Sequence, residues 1–154
     1  MASVSGFEAY ADDRIRAVVL ADGSPAPVWY SRFEGVPKIY RQVREEPNAI
    51  VVELPLHPSG AAFQEARYML NSTEHWKPML NGYSGFQPES YHLHVEALAN
   101  FPDARSIEAL RKEGVTHVFV HVSDYGPAIV GVLDGTPGFH KLSTEGGIVL
   151  YRLD

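Results

Sequence analysis

Apolar positions along this chain follow two spacings, and the switch between them divides it into elements. Residues 49–56 hold the most continuous apolar run: Ile50, Val51 and Val52, then Glu53, Leu54, Pro55 and Leu56. A run without alternation predicts a strand buried on both faces, as in the centre of a covered sheet. Residues 116–122 predict a second strand, with Val118, Val120 and Val122 on one face and His117, Phe119 and His121 on the other. Helical spacing follows Pro37, where Ile39, Tyr40 and Val43 share a stripe, and again from Pro88 through Ala99, where Tyr91, Val95 and Leu98 do. Asp103 or Ser106 caps a further helix holding Ile107 and Leu110, and Gly114 stops it. Gly126-Pro127 opens a short helix that Asp134-Gly135 closes.

Three more segments read as strands: 15–21, 28–30, and 67–72 around Tyr68, Met69 and Leu70. Residues 139–142 and 148–153 flank Glu145-Gly146-Gly147, the pattern of a β-hairpin. The helix from Asp103, its glycine stop and the β-branched strand after it form the end of a β-α-β crossover. The expected fold class is α/β: a single domain over 15–154, with a mixed sheet of about five strands flanked by helices and ending in an antiparallel β-hairpin. Residues 1–14 are weakly patterned and read as a poorly ordered lead-in.

One stretch fits neither spacing. Residues 75–91 run His75-Trp76-Lys77-Pro78, Asn81-Gly82-Tyr83-Ser84-Gly85-Phe86 and Gln87-Pro88 before Tyr91. Glycine and proline break any regular element there, which predicts a fixed irregular loop, the usual place for a site on a rigid scaffold. Trp76 and Tyr83 offer faces for stacking, while His75, Lys77, Asn81, Ser84 and Tyr91 offer directional polar groups, the mixture a small-molecule or sugar site needs. Glu53 joins them as candidate, because the carboxyl end of a buried strand is where open α/β sheets place ligands. The competing expectation is a loop stapled to the core by its own aromatics and amide, with Glu53 in a structural pair.

Composition narrows the chemistry. The chain has 154 residues, 45% hydrophobic and 21% charged, and a net charge of −6, which argues against a general nucleic-acid binder. It has no cysteine, so disulfides, thiolate nucleophiles and cysteine-ligated metals are excluded. No apolar run approaches the ~20 residues of a membrane span, and no signal peptide is evident. Ser84 has the outline of a nucleophile elbow, but Phe86 stands where that motif needs its second glycine. A hydrolase using Ser84, or a Glu53/His75 acid–base pair, is the alternative enzymatic expectation. Of the seven histidines, His57, His75, His92, His94, His117, His121 and His140, no two have chelating spacing. His117 and His121 would lie about 13 Å apart along a strand. No metal and no cofactor are therefore expected, and no phosphate-binding glycine loop is present.

The motifs Glu53-Leu54-Pro55-Leu56, Tyr68-Met69, Ser72-Thr73-Glu74-His75-Trp76-Lys77-Pro78 and Asn81-Gly82-Tyr83-Ser84-Gly85-Phe86 also carry a family resemblance. With Phe101-Pro102 and Tyr151-Arg152-Leu153, they resemble the soluble C-terminal domain of bacterial multi-pass membrane proteins of the glycosyltransferase C-type superfamily. The resemblance covers roughly residues 28–154. It implies an extracytoplasmic, periplasmic accessory domain that binds a glycan, a polyprenyl-phosphate sugar or the membrane-embedded portion of the same protein. The catalytic acids of such proteins sit in that membrane portion, so the implied role here is non-catalytic. A purely structural docking domain is the remaining expectation.

Overall fold

The computed structural model describes residues 35–82 and 86–154. Four strands form one mixed sheet: β1 (Val51–Leu54), β2 (His117–His121), β3 (Phe139–Glu145) and β4 (Ile148–Leu153), in the order β1-β2-β4-β3. β1 runs parallel to β2, with Glu53 opposite Phe119, and β4 is antiparallel to both β2 and β3. The parallel pair requires a crossover, supplied by α1 (Glu65–Ser72), α2 (Glu89–Leu98) and α3 (Ala104–Lys112). Two short helices, α4 (Val122–Tyr125) and α5 (Ala128–Asp134), lead from β2 to β3. Gly35–Asp154 forms one compact unit.

Alternation along the strands sorts the core onto the two sheet faces. Val52, Leu54, Val118, Val120, Val149 and Tyr151 pack with Leu98, Leu110 and Leu133 from the helices. Val51, Phe119, Ile148 and Leu150 pack with Ile39, Tyr40 and Val43 from a 3-10 helix at Lys38–Val43. Both faces are covered, which is why β1 and β2 are buried at every position and why the run at 49–56 shows no alternation. Asp103 caps α3 by accepting from Ser106 N at 2.8 Å, and Gly114, at φ +71°, ends that helix with the Val115 N–H bonded back to Leu110 O at 3.0 Å. Gly146 and Gly147, at φ +56° and +79°, make the β3–β4 turn where the glycine pair predicted it.

Two expectations change. The sheet has four strands among the described residues, not about five; the predicted strands at 15–21 and 28–30, like the lead-in at 1–14, lie outside the described residues. The predicted strand at 67–72 is the helix α1. Its buried residues are Glu65, Tyr68, Asn71 and Ser72, a helical spacing written almost wholly in polar side chains. Met69 and Leu70 are exposed. An apolar periodicity search therefore registers the wrong face. The irregular stretch beyond α1 touches the sheet at one parallel bridge, Val51 with Met79, through Val51 N to Pro78 O and Leu80 N to Val51 O, both 2.9 Å.

Candidate functional site

Beyond the carboxyl ends of β1 and β2, the chain buries two carboxylates, each against a histidine. Glu53, the third of the four residues of β1, lies on the face shared with Phe119 and is 0% exposed. Its Oε2 accepts from Tyr40 Oη and pairs with His121 Nε2, both at 2.8 Å. Asn71 Nδ2 donates to Tyr40 Oη at 2.9 Å, so the tyrosine's own proton is directed at the carboxylate. Among the described residues, Glu53 Oε1 has no hydrogen-bond partner. Burial pushes the Glu53 carboxyl above its ordinary value, against the opposing effect of His121, Tyr40 and Asn71. Burial and the neighbouring Glu53 likewise raise the Tyr40 phenol.

The second pair comes from α1 and the turn after β1. Glu65 is also 0% exposed. Its Oε1 accepts from the His57 backbone N–H at 2.9 Å and pairs with His57 Nδ1 at 2.8 Å, while Oε2 accepts from Asn81 Nδ2 at 2.8 Å. Two of these three partners are donors by chemistry, and the carboxylate assigns the third, Nδ1, as a donor too. Asn81 turns the same amide toward β1: Oδ1 accepts from Glu53 N at 2.6 Å and Nδ2 donates to Glu53 O at 2.9 Å. It thus satisfies two backbone groups of Glu53 with one side chain. The Tyr68 ring lies between the two pairs, 5.6 Å from the His57 ring and 4.8 Å from the His121 ring. Tyr91 Oη donates to His57 O at 2.7 Å.

Of the residues nominated from sequence, Glu53, Asn81 and Tyr91 are brought together through this network. His75 stands on the far side of Tyr40, its ring 6.5 Å from that of Tyr40 and 6.2 Å from that of Phe119. Its Nδ1 accepts from Lys77 N at 3.0 Å, which places the ring proton on Nε2, a buried atom without a partner among the described residues. Burial, helped by Lys77 and His117, lowers the His75 imidazole to about 4. No hydrogen bond joins His75 to Glu53, whose imidazole partner is His121. Trp76 points outward, 78% exposed at φ +53°, and Lys77 Nζ donates to Glu46 O at 2.7 Å. Tyr83 and Ser84 lie outside the described residues.

A cleft of about 490 Å³ opens beside this cluster, bounded by the irregular loop, α1 and α2. Met69, Met79, Leu80, Phe86 and Pro88 give it apolar walls. Asn81, Gln87, Ser90, Tyr91, His94 and Glu113 supply its polar groups, with His94 Nε2 and Glu113 Oε1 3.5 Å apart. Among the described residues, no group of three or more histidines and carboxylates is arranged to hold a metal ion. Nor is any helix there long and apolar enough to cross a membrane.

Sequence reasoning passed over Tyr40, His57, Glu65, Asn71 and His121. The signal that could have found them was the polar helical spacing Glu65, Tyr68, Asn71 and Ser72, which marks a helix turned toward a buried polar interior. Neither the models of known families nor the curated proteins nor the solved structures contain a match to this chain.

Proposed function

We propose that the chain is a non-catalytic ligand-binding accessory domain, whose ligand seats in the cleft beside the 75–91 loop. The cleft itself carries this reading: about 490 Å³, with apolar walls and a few polar groups at fixed positions. Small-molecule sites share that build and span roughly 300–1,000 Å³. The two Glu–His pairs stand behind the cleft and are engaged with its supports, which favours recognition over bond-breaking there. Together with the resemblance to glycosyltransferase C-type membrane proteins, this nominates a glycan or a polyprenyl-phosphate sugar as ligand. Titrating both classes into the protein, followed by calorimetry, tests the reading. Ser90→Trp, at an exposed position in the first turn of α2, should fill the cleft and abolish binding without lowering the melting temperature. Binding that survives Ser90→Trp, or no binding of either class, would overturn the proposal.

A second reading has its own observation. Phe63, Leu70 and Trp76 are 65%, 43% and 78% exposed, on or beside the outer face of α1, where a free-standing surface would carry polar groups. This favours docking against a protein surface, such as the membrane-embedded portion of the same protein. Phe63→Ser with Leu70→Ser should leave the stability of the isolated domain within about 0.5 kcal/mol per site. The same change should weaken association with that portion in a pull-down.

A further inference from the structure

The walls of the cleft are supported from one layer deeper in the molecule. Two lining residues come from different bounding segments, Asn81 from the loop and Tyr91 from α2. Both are tied to the same point. Tyr91 Oη donates to His57 O at 2.7 Å. Asn81 Nδ2 donates to Glu65 Oε2 at 2.8 Å, and Glu65 Oε1 takes the His57 backbone N–H at 2.9 Å and Nδ1 at 2.8 Å. Tyr91, His57, Glu65 and Asn81 thus form an unbroken chain from one wall to the other. Neither Glu65 nor His57 lines the cleft.

The chain has little slack. Glu65 is 0% exposed and uses both oxygens. Asn81 cannot reverse its amide to suit a changed partner, because its Oδ1 accepts from Glu53 N and its Nδ2 donates to Glu53 O. A donor placed at either Glu65 oxygen would therefore face another donor, and one wall would have to move. We infer that the Glu65 side chain and the His57 main chain position the walls of the cleft, an internal tie that sets the distance between the loop and α2 and through it the affinity for ligand. This rests on the cleft being the ligand site, but the geometry of the tie can be read without any ligand.

Methionine methyl groups provide that readout. The chain has three methionines, and two of them, Met69 and Met79, line the cleft. In protein labelled with ¹³C at the methionine methyls, Glu65→Gln should move the Met69 and Met79 resonances together. It should also weaken binding of the neutral apolar dye N-phenyl-1-naphthylamine by about tenfold, the scale of coupling within one hydrogen-bond network. His57→Asn keeps the main-chain N–H and C=O and a donor where Nδ1 stands, and should retain the wild-type shifts and affinity, whereas Tyr91→Phe, which removes the donor to His57 O, should reproduce the effect of Glu65→Gln. Tyr151→Phe removes a hydrogen bond to Asp134 between β4 and α5, neither of which lines the cleft, so it should lower stability while leaving both methyls in place. Unmoved methyls in folded Glu65→Gln, or equal movement in Tyr151→Phe, would overturn the tie; if Glu65→Gln does not fold, the contrast between His57→Asn and Tyr91→Phe decides. Failure of the dye to bind the wild-type protein counts instead against the cleft as a site for apolar ligands, and the methyl shifts still judge the tie.

Discussion

His75 and Glu53 flank Tyr40 on one face of the sheet, and burial acts on their protons in opposite senses. His75 is lowered from 6.5 to about 4, so above the higher value it is neutral in both folded and unfolded chains. As pH falls from about 6.5 to about 4, the unfolded chain takes up a proton that the folded chain refuses, and stability falls. Glu53 is raised above its ordinary 4.5, so the folded chain keeps a proton that the unfolded chain has released, and that contribution is lost as pH rises through the raised value. His75→Asn separates the two, because it retains an acceptor for the Lys77 N–H and removes the titration. Urea midpoints between pH 6.5 and 4 should fall less steeply in this variant than in wild type; an unchanged slope would remove His75 as the cause. Trp76 presents the converse situation, an exposed side chain at φ +53°, where asparagine is far better tolerated. Trp76→Asn should stabilise the chain by about 0.5–1 kcal/mol, read as a raised urea midpoint.

At the scale of elements, legibility depended on whether burial and hydrophobicity coincide. They coincide at most positions of β1, β2 and α3, the last with its Asp103 cap and Gly114 stop, and those elements follow from the sequence within a residue or two. They part company in α1. Its inner face meets a polar interior, so Glu65, Tyr68, Asn71 and Ser72 are buried while Met69 and Leu70 face outward, and the segment was read as a strand. The same inversion hid Glu65 and Asn71 from the sequence pattern, although Glu53, Asn81 and Tyr91, members of the same buried network, stand out by their place at a strand end and in an irregular loop. The helix therefore reverses the usual expectation for substitutions. Leu70→Glu should change stability by no more than about 0.5 kcal/mol, as at other exposed positions. Asn71→Leu, more hydrophobic and similar in size, should cost about 1–3 kcal/mol because Tyr40 Oη loses its buried donor. Chemical denaturation of the two variants checks the pair, and the opposite order would mean that α1 presents its other face.

Across the whole molecule, the parallel pairing of β1 and β2 directs both carboxyl ends to one place, which is how Glu53 and His121, 68 residues apart in the chain, come to share a hydrogen bond. That partnership was not legible in advance, because it depends on the register that sets Glu53 opposite Phe119 and so brings His121, two residues on, into reach. A long-range pair of this kind should act on global stability rather than on a local segment. Leaving a buried polar group without its hydrogen-bond partner typically costs about 1–3 kcal/mol. His121→Leu should fall in that range, its loss spread over one cooperative transition. Glu53→Gln added to His121→Leu should recover part of the loss, because the neutral amide still offers Tyr40 Oη an acceptor and no longer carries charge. Recovery follows from the Glu53 carboxylate being the source of the penalty. Losses that simply add in urea denaturation at pH 7 would instead place the cost in the packing of the His121 ring against Tyr68, 4.8 Å away.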